Sequence, residues 1–222
     1  MFGKELIHLI KHELNLEFKQ KQFISSIVLY IVSTIFVCSL SFTSIADTTI
    51  WNALFWIIIL FSLTNAISKS FLNENSEKQI FLYTLINPRV LILGKIIYNL
   101  ILSIILVLMS FFIFNFFIQT EGLEGINYGL FLIAVLLGST SISSTLTLVS
   151  AIAAKTNNNI GILSILAFPI LIPSLLLSIQ FSNLAIIGGN LDMANQFIVF
   201  LSLINLLIII LSFLLFPYLW RE

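Results

Sequence analysis

Six apolar runs, at about residues 23–43, 51–70, 96–118, 128–154, 160–181 and 196–217, govern what this chain can fold into. Each approaches the roughly 20 residues with which an α-helix crosses about 30 Å of hydrocarbon. In lipid every backbone N–H and C=O must find its partner within the protein, which leaves helices and closed barrels as spanning structures. Unbroken apolar runs of this length, with no polar–apolar alternation, select helices. The expected fold is an all-α integral membrane protein with six transmembrane helices, forming a single domain over residues 1–222. A mean hydropathy of +1.11, with 59% hydrophobic and 9% charged residues, is more apolar surface than a soluble chain of this size hides from water. The 21 phenylalanines suit lipid-facing helices.

The polar residues between the runs set the orientation. Lys4, Lys11, Lys19 and Lys21 precede the first run. Lys69, Lys78, Arg89 and Lys95 flank the connection between the second and third, Lys155 follows the fourth, and Arg221 follows the last. Together these are all 10 lysines and arginines, while the alternate connections carry only Asp47, Glu121, Glu124 and Asp192. Bases stay on the cytoplasmic side. Both termini are therefore expected in the cytoplasm, with the chain in a cell's cytoplasmic (inner) membrane. Trp51 and Trp220, at span ends, read as interfacial aromatics. Net charge is zero, and lipids, not nucleic acid, are the expected surroundings. The charged start, Met1 to His8, has no apolar core ending in small residues, unlike a cleaved signal peptide.

Residues 3–19 read as an interfacial helix. Leu6, Ile7, Leu9, Ile10 and Leu14 fall on one side at 100° per residue, with Lys4, His8, Lys11, His12, Asn15 and Lys19 on the other. Glu13 and Glu17 intrude on the apolar side. They face a protein neighbour, pair with Lys21, or reach the headgroups. His8 and His12 have the spacing of a metal pair, but two histidines on a solvated face read as plain surface.

The longest interruption runs from Phe71 to Lys95. Ser76 and Gln79 fit a capping box, opening a short helix through Phe81, Tyr83 and Leu85 over residues 76–87. Asn87-Pro88 ends it, because proline disfavours the helical region for the residue before it. A connector needs only a few turn residues, so this helix reads as a docking element for another protein.

The fourth run carries Ser139, Ser143, Thr147 and Ala151 at four-residue spacing. Small residues let helix backbones approach closely, within one subunit or across a dimer seam. Pro169 and Pro173 leave two carbonyls of the fifth run without helical donors. Either one kinked span leads to an outer loop, or a shorter span precedes a re-entrant piece over residues 174–190, with Gly188-Gly189 as a turn. The lone Cys38 allows no internal disulfide. Gly94-Lys95 is followed by Ile96, and with no glycine upstream it is no Walker A loop. The spans hold serines but no histidine to serve as base for a hydrolytic nucleophile, so catalysis is not expected of this chain.

Certain of these residues resemble a known family. Gln79 to Leu85 with Pro88 and Leu93-Gly94-Lys95, then Leu136-Leu137-Gly138, and above all Leu163-Ser164-Ile165-Leu166 with Pro169 and Pro173, are similar to motifs of the CcmB family. That family provides the permease subunit of the cytochrome c maturation ABC complex, often called the haem exporter. The likeness covers roughly residues 70–180; Glu77-Lys78-Gln79, Leu148-Val149-Ser150-Ala151 and Asn157-Asn158-Asn159 depart from its pattern. The resemblance implies an export-type ABC permease with a coupling helix between spans two and three. It implies a separate CcmA-like ATPase subunit carrying the ATP and docking at Ser76, Gln79, Phe81, Tyr83, Leu85 and Pro88, with two copies per complex. Further implied partners are CcmC- and CcmD-like membrane proteins and a CcmE-like periplasmic haem chaperone, with haem as the ligand moved or handled. Alternatives are an ABC export permease for a drug, lipid or polysaccharide, and a non-transporting scaffold of an assembly complex.

Overall fold

The computed structural model describes residues 2–19, 21–42, 47–68, 87–118, 125–155 and 160–220. Over these residues the chain forms helices α1 (Phe2–Lys19), α2 (Lys21–Ser41), α3 (Thr48–Ile67), α4 (Pro88–Phe117), α5 (Tyr128–Lys155), α6 (Ile160–Ile186) and α7 (Leu191–Trp220). Five of them, α3 to α7, are long and apolar enough to cross a membrane, and α2 contributes a shorter apolar helix over Ser25–Ser41. The chain is a multi-pass membrane protein.

Local chemistry sets the helix ends. Asp47 caps α3 by accepting the Thr49 N–H at 2.8 Å, and Asn127 Oδ1 accepts the Leu130 N–H at the start of α5. Asn87 caps α4, accepting the Arg89 N–H at 3.1 Å with Pro88 at the first helical position. This corrects the start of the third span: Asn87-Pro88 opens α4, which begins at Pro88 instead of residue 96. The helix that the dipeptide was expected to end lies, up to residue 86, outside the described residues. Arg89 and Lys95 therefore belong to a helix and not to a connection.

The two prolines lie inside α6, which runs on without a break to Ile186. It ends with Gly188 at φ +72° and a hydrogen bond from the Gly189 N–H back to the Leu184 carbonyl, a Schellman-type cap. The turn expected at Gly188-Gly189 is present, and the shorter span with a re-entrant piece is not what forms.

α5 is the central helix, packed against α3, α4, α6 and α7, and every residue from 141 to 150 is buried. Asn99 of α4 meets Thr147 of α5, whereas Phe111 meets Phe131. Contacts at falling α5 numbers for rising α4 numbers make the pair antiparallel. At one end of the bundle the start of α3, the end of α4, the start of α5 and the end of α6 converge. There Trp51, Phe55, Phe111, Phe114 and Phe131 form one aromatic cluster. Trp51, expected at an interface, is instead buried, stacked on Phe55 and donating its indole N–H to the Ile118 carbonyl at 3.2 Å. At the other end α1, the start of α4, the end of α5 and α7 share a smaller core of Leu9, Leu91, Ile92, Ile96, Ala151 and Phe216.

Candidate functional site

The end of the bundle that holds α1 follows directly on the 76–87 segment read as a docking helix. Ser76, Gln79, Phe81, Tyr83 and Leu85 lie outside the described residues, and Pro88 is the first residue of α4. What the structure adds is the way the next two turns of α4 are held. A Cβ placed on Gly94 would lie 2.6 Å from Leu9 Cδ2, so glycine lets the tip of Leu9 lie closer to α4 than a larger residue would unless the leucine shifted. One residue on, Lys95 Nζ sits 3.1 Å from Glu13 Oε1, with the two side chains 4% and 16% exposed. Leu9 and Glu13 are one turn apart on α1, and Gly94 and Lys95 are neighbours on α4, so notch and ion pair form one seat.

Glu13 on the apolar side of α1 thereby finds its explanation in a buried ammonium from another helix. Lys95, expected just before the span at 96–118, lies within α4, where a lysine tolerates burial because a carboxylate meets it in good geometry. Two turns of α4 thus carry an anchored charge, and Arg89 at their start lies 5.3 Å from the ring centre of Phe213 on α7. His8 and His12 are both exposed, and among the described residues no cluster could hold a metal ion.

Deeper in the bundle, polar side chains bridge helices that sequence spacing alone does not bring together. Asn52 of α3 donates to Asn183 Oδ1 at 2.7 Å and to the Ile179 carbonyl at 3.2 Å, and its own oxygen accepts from Ser182 at 2.9 Å. Trp56 donates its indole N–H to the same Ser182 oxygen at 2.8 Å. Ser141 of α5 donates to Ser174 of α6 at 2.9 Å, and Asn205 of α7 reaches Thr140 of α5 at 3.3 Å. Ser174, Ser178 and Ser182 recur every four residues on α6, all buried. That recurrence in an apolar helix was the available signal for a polar seam, and it went unread.

The small-residue stripe is buried inside this chain: Ser139, Ser143, Thr147 and Ala151 are all between 0% and 2% exposed. Thr147 accepts from Asn99 at 2.9 Å and Ala151 packs with Leu9 and Phe216, which puts the stripe in internal helix contacts and away from any outward face. Most of its hydroxyls return a hydrogen bond to their own helix, as Ser139 does to the Leu136 carbonyl and Thr147 to the Ser143 carbonyl. Ser143 Oγ, by contrast, has no hydrogen-bond partner among the described residues, and neither has Tyr98 OH. Losing a hydroxyl that makes no bond is nearly neutral or stabilising, whereas losing one partner of a buried bond costs roughly 1 kcal/mol. Ser143→Ala should accordingly unfold at the same temperature as the parent or above it in detergent, while Ser141→Ala, which strands Ser174, should unfold lower. Equal losses from both would show that the Ser143 hydroxyl is bonded after all.

Pro169 and Pro173 are exposed on the outer side of α6, away from the polar seam. The carbonyls they leave without helical donors are those of Ile165 and Pro169, in the same outward-facing stretch. Set beside known proteins, the chain is matched over residues 4–217 by the model of the family described as CcmB protein. Among curated proteins no match is found.

Proposed function

This chain belongs to the CcmB family, and from that membership we propose that it is the membrane subunit of an ABC complex that handles haem during cytochrome c maturation. The observation that carries the reading is a family match over almost the whole chain, on a bundle whose helices are apolar enough to span a bilayer. In this reading α2 joins α3 to α7 as the sixth span, and ATP is bound and hydrolysed by a separate CcmA-like subunit. That subunit docks on a coupling helix over residues 76–87. Its motion enters the membrane subunit where α4 begins, since Pro88 follows the helix directly. Two copies of each subunit form the core, with CcmC- and CcmD-like proteins and a CcmE-like haem chaperone as further partners. This chain supplies force transmission, and haem is the ligand handled by the assembled complex.

Support for the orientation comes from the sorting of charge along the fold. Lys11, Arg89 and Lys95 belong to the end where α1 packs, and Asp47 and Asp192 cap or open helices at the other. Cytoplasmic termini follow from the excess of bases. A reporter fused after Glu222 should be active only in the cytoplasm, and one inserted at Glu124 only outside. Cytoplasmic activity at Glu124 would remove the six-span arrangement.

The test of function is copurification of the tagged chain from its native membrane, with partners identified by mass. An ABC ATPase should come with it. An aromatic anchor buried at an interface contributes about 2 kcal/mol or more, about thirtyfold in affinity. Phe81→Ala and Tyr83→Ala should therefore weaken ATPase retention by that factor with the membrane domain still folded. A tagged chain that brings no ATPase, or alanine variants that keep it fully, would end the reading.

A further inference from the structure

The seat of α1 on α4 is built more firmly than membrane attachment requires. An amphipathic helix is held at a bilayer surface by its own apolar face. Here, in addition, a lysine 3% exposed is brought against Glu13, and Gly94 is hollow where Leu9 enters. A buried charge pair is costly unless its geometry is fixed, and it discriminates sharply between the seated and the parted arrangement. A glycine notch adds a fit of shape, because Leu9 reaches into the space that a Cβ at position 94 would fill. Both contacts fall in the first two turns of α4, immediately after the 69–86 segment. α1 also touches α2 and leads into it, the two helices ending and beginning at Lys19 and Lys21.

We propose that α1 and the first turns of α4 form one rigid lever, latched by the Glu13–Lys95 ion pair and by Leu9 in the Gly94 notch. A displacement at the start of α4 is then delivered through α1 to the start of α2, a helix far from α4 in sequence. That this displacement originates in a docked ATPase rests on the function proposed above; the latch does not. Glu13 and Lys95 are positioning residues in this scheme. They touch neither nucleotide nor ligand and act by keeping two helices in register.

A Cβ on Gly94 lies 3.8 Å from Leu9 Cβ, which is about the mean separation across a disulfide. Leu9→Cys with Gly94→Cys, in a Cys38→Ser background, should therefore close a bond that locks the lever in its native geometry. The oxidised complex should keep the ATP turnover of its reduced form. If locking abolishes turnover and reduction restores it, α1 must part from α4 during the cycle and the lever is overturned. A second measurement needs no partner. In native membranes, maleimide labelling of Leu9→Cys should rise about tenfold or more when Glu13→Gln or Lys95→Gln removes one side of the buried pair. Labelling should fall back in the exchanged pair Glu13→Lys with Lys95→Glu. Equal labelling of the parent and the two single variants would overturn the latch. Because the labelling arm uses this chain alone, its result is independent of whether an ATPase is found in the purified complex.

Discussion

Gly138→Leu should leave almost no folded protein in the membrane. At this point of α5 a Cβ would run into the Ser178 hydroxyl and stand 2.5 Å from Trp56 Cη2 and 2.8 Å from Ser178 Cβ. The neighbours have little freedom to yield. Trp56 is tied to Ser182 by its indole N–H, Ser182 is tied to Asn52, and Ser178 donates to the Ser174 carbonyl. A leucine must therefore force α5 away from both α3 and α6, which opens the polar seam between them. Overpacking a tight core costs about 1–3 kcal/mol for a few added methylenes, occasionally more, and stranding the seam's polar groups adds about 1–3 kcal/mol for each group left buried and unbonded. Gly138→Ala is already too large for the space and should show a smaller loss in the same direction. Gly3→Leu is the control, since nothing lies within 4 Å of a Cβ there. Detergent-solubilised yield of monodisperse protein and its unfolding temperature provide the measurement. A Gly138→Leu protein that unfolds within about 2 °C of the parent would show that the three helices do not meet at this residue, because even 1 kcal/mol moves a chain of this size by about 2–4 °C.

The helical membrane fold was legible in the sequence because hydrocarbon thickness imposes a length that apolar runs display directly. The spans from Thr48, Tyr128 and Ile160 begin within three residues of where hydropathy puts them. Boundaries were misread where polar residues lie within a helix. Arg89 and Lys95 look like connection residues by composition, yet Asn87 and Pro88 are a cap and a first-turn proline. The dipeptide can stop one helix and start the next, and the bond from the Arg89 N–H to the Asn87 side chain is what shows the start.

The candidate site was less legible. Burial of Lys95 against Glu13 depends on two helices about 80 residues apart in the chain, a juxtaposition that no local periodicity contains. Glu13 on an apolar face was visible as an anomaly, and an anomaly of this kind is a request for a buried partner. Trp51 was read as interfacial from its place at a helix end. Its burial follows from the convergence of four helix ends around it, which is a tertiary fact. Gly138 was seen only as a letter of a family-like motif, and Gly94 as that and as part of a rejected phosphate-binding loop. Gly138 admits Trp56 and Ser178 at distances that a Cβ would forbid, and Gly94 leaves room for the tip of Leu9.

Phe55→Ala should cause the largest loss of stability among truncations at the aromatic end, though for a reason that differs from a water-soluble core. In lipid an exposed ring is already out of water, so moving it into the bundle gains no hydrophobic transfer energy. What holds Phe55 is contact: its ring centre lies 5.3 Å from that of Phe114, 5.7 Å from Phe131, 6.2 Å from Trp56 and 6.3 Å from Trp51. Removing it leaves a void among side chains fixed on α3, α4 and α5, none of which can close it alone. Such substitutions cost about 3–5 kcal/mol in soluble proteins. With the transfer contribution absent and the cavity contribution kept, about 2–3 kcal/mol is expected here. Trp51 and Trp56 border the void directly, so tryptophan fluorescence during denaturant unfolding reports on the region that has changed. Phe116, whose side chain is 77% exposed, is the matched control. Phe116→Ala gives up one ring contact, with Phe117 at 5.3 Å, and otherwise trades one lipid contact for another, so it should cost no more than about 1 kcal/mol. Phe55→Leu, which refills part of the space, should recover a portion of the loss. Equal midpoints for Phe55→Ala and Phe116→Ala would mean that the rings at this end of the bundle touch lipid and not each other.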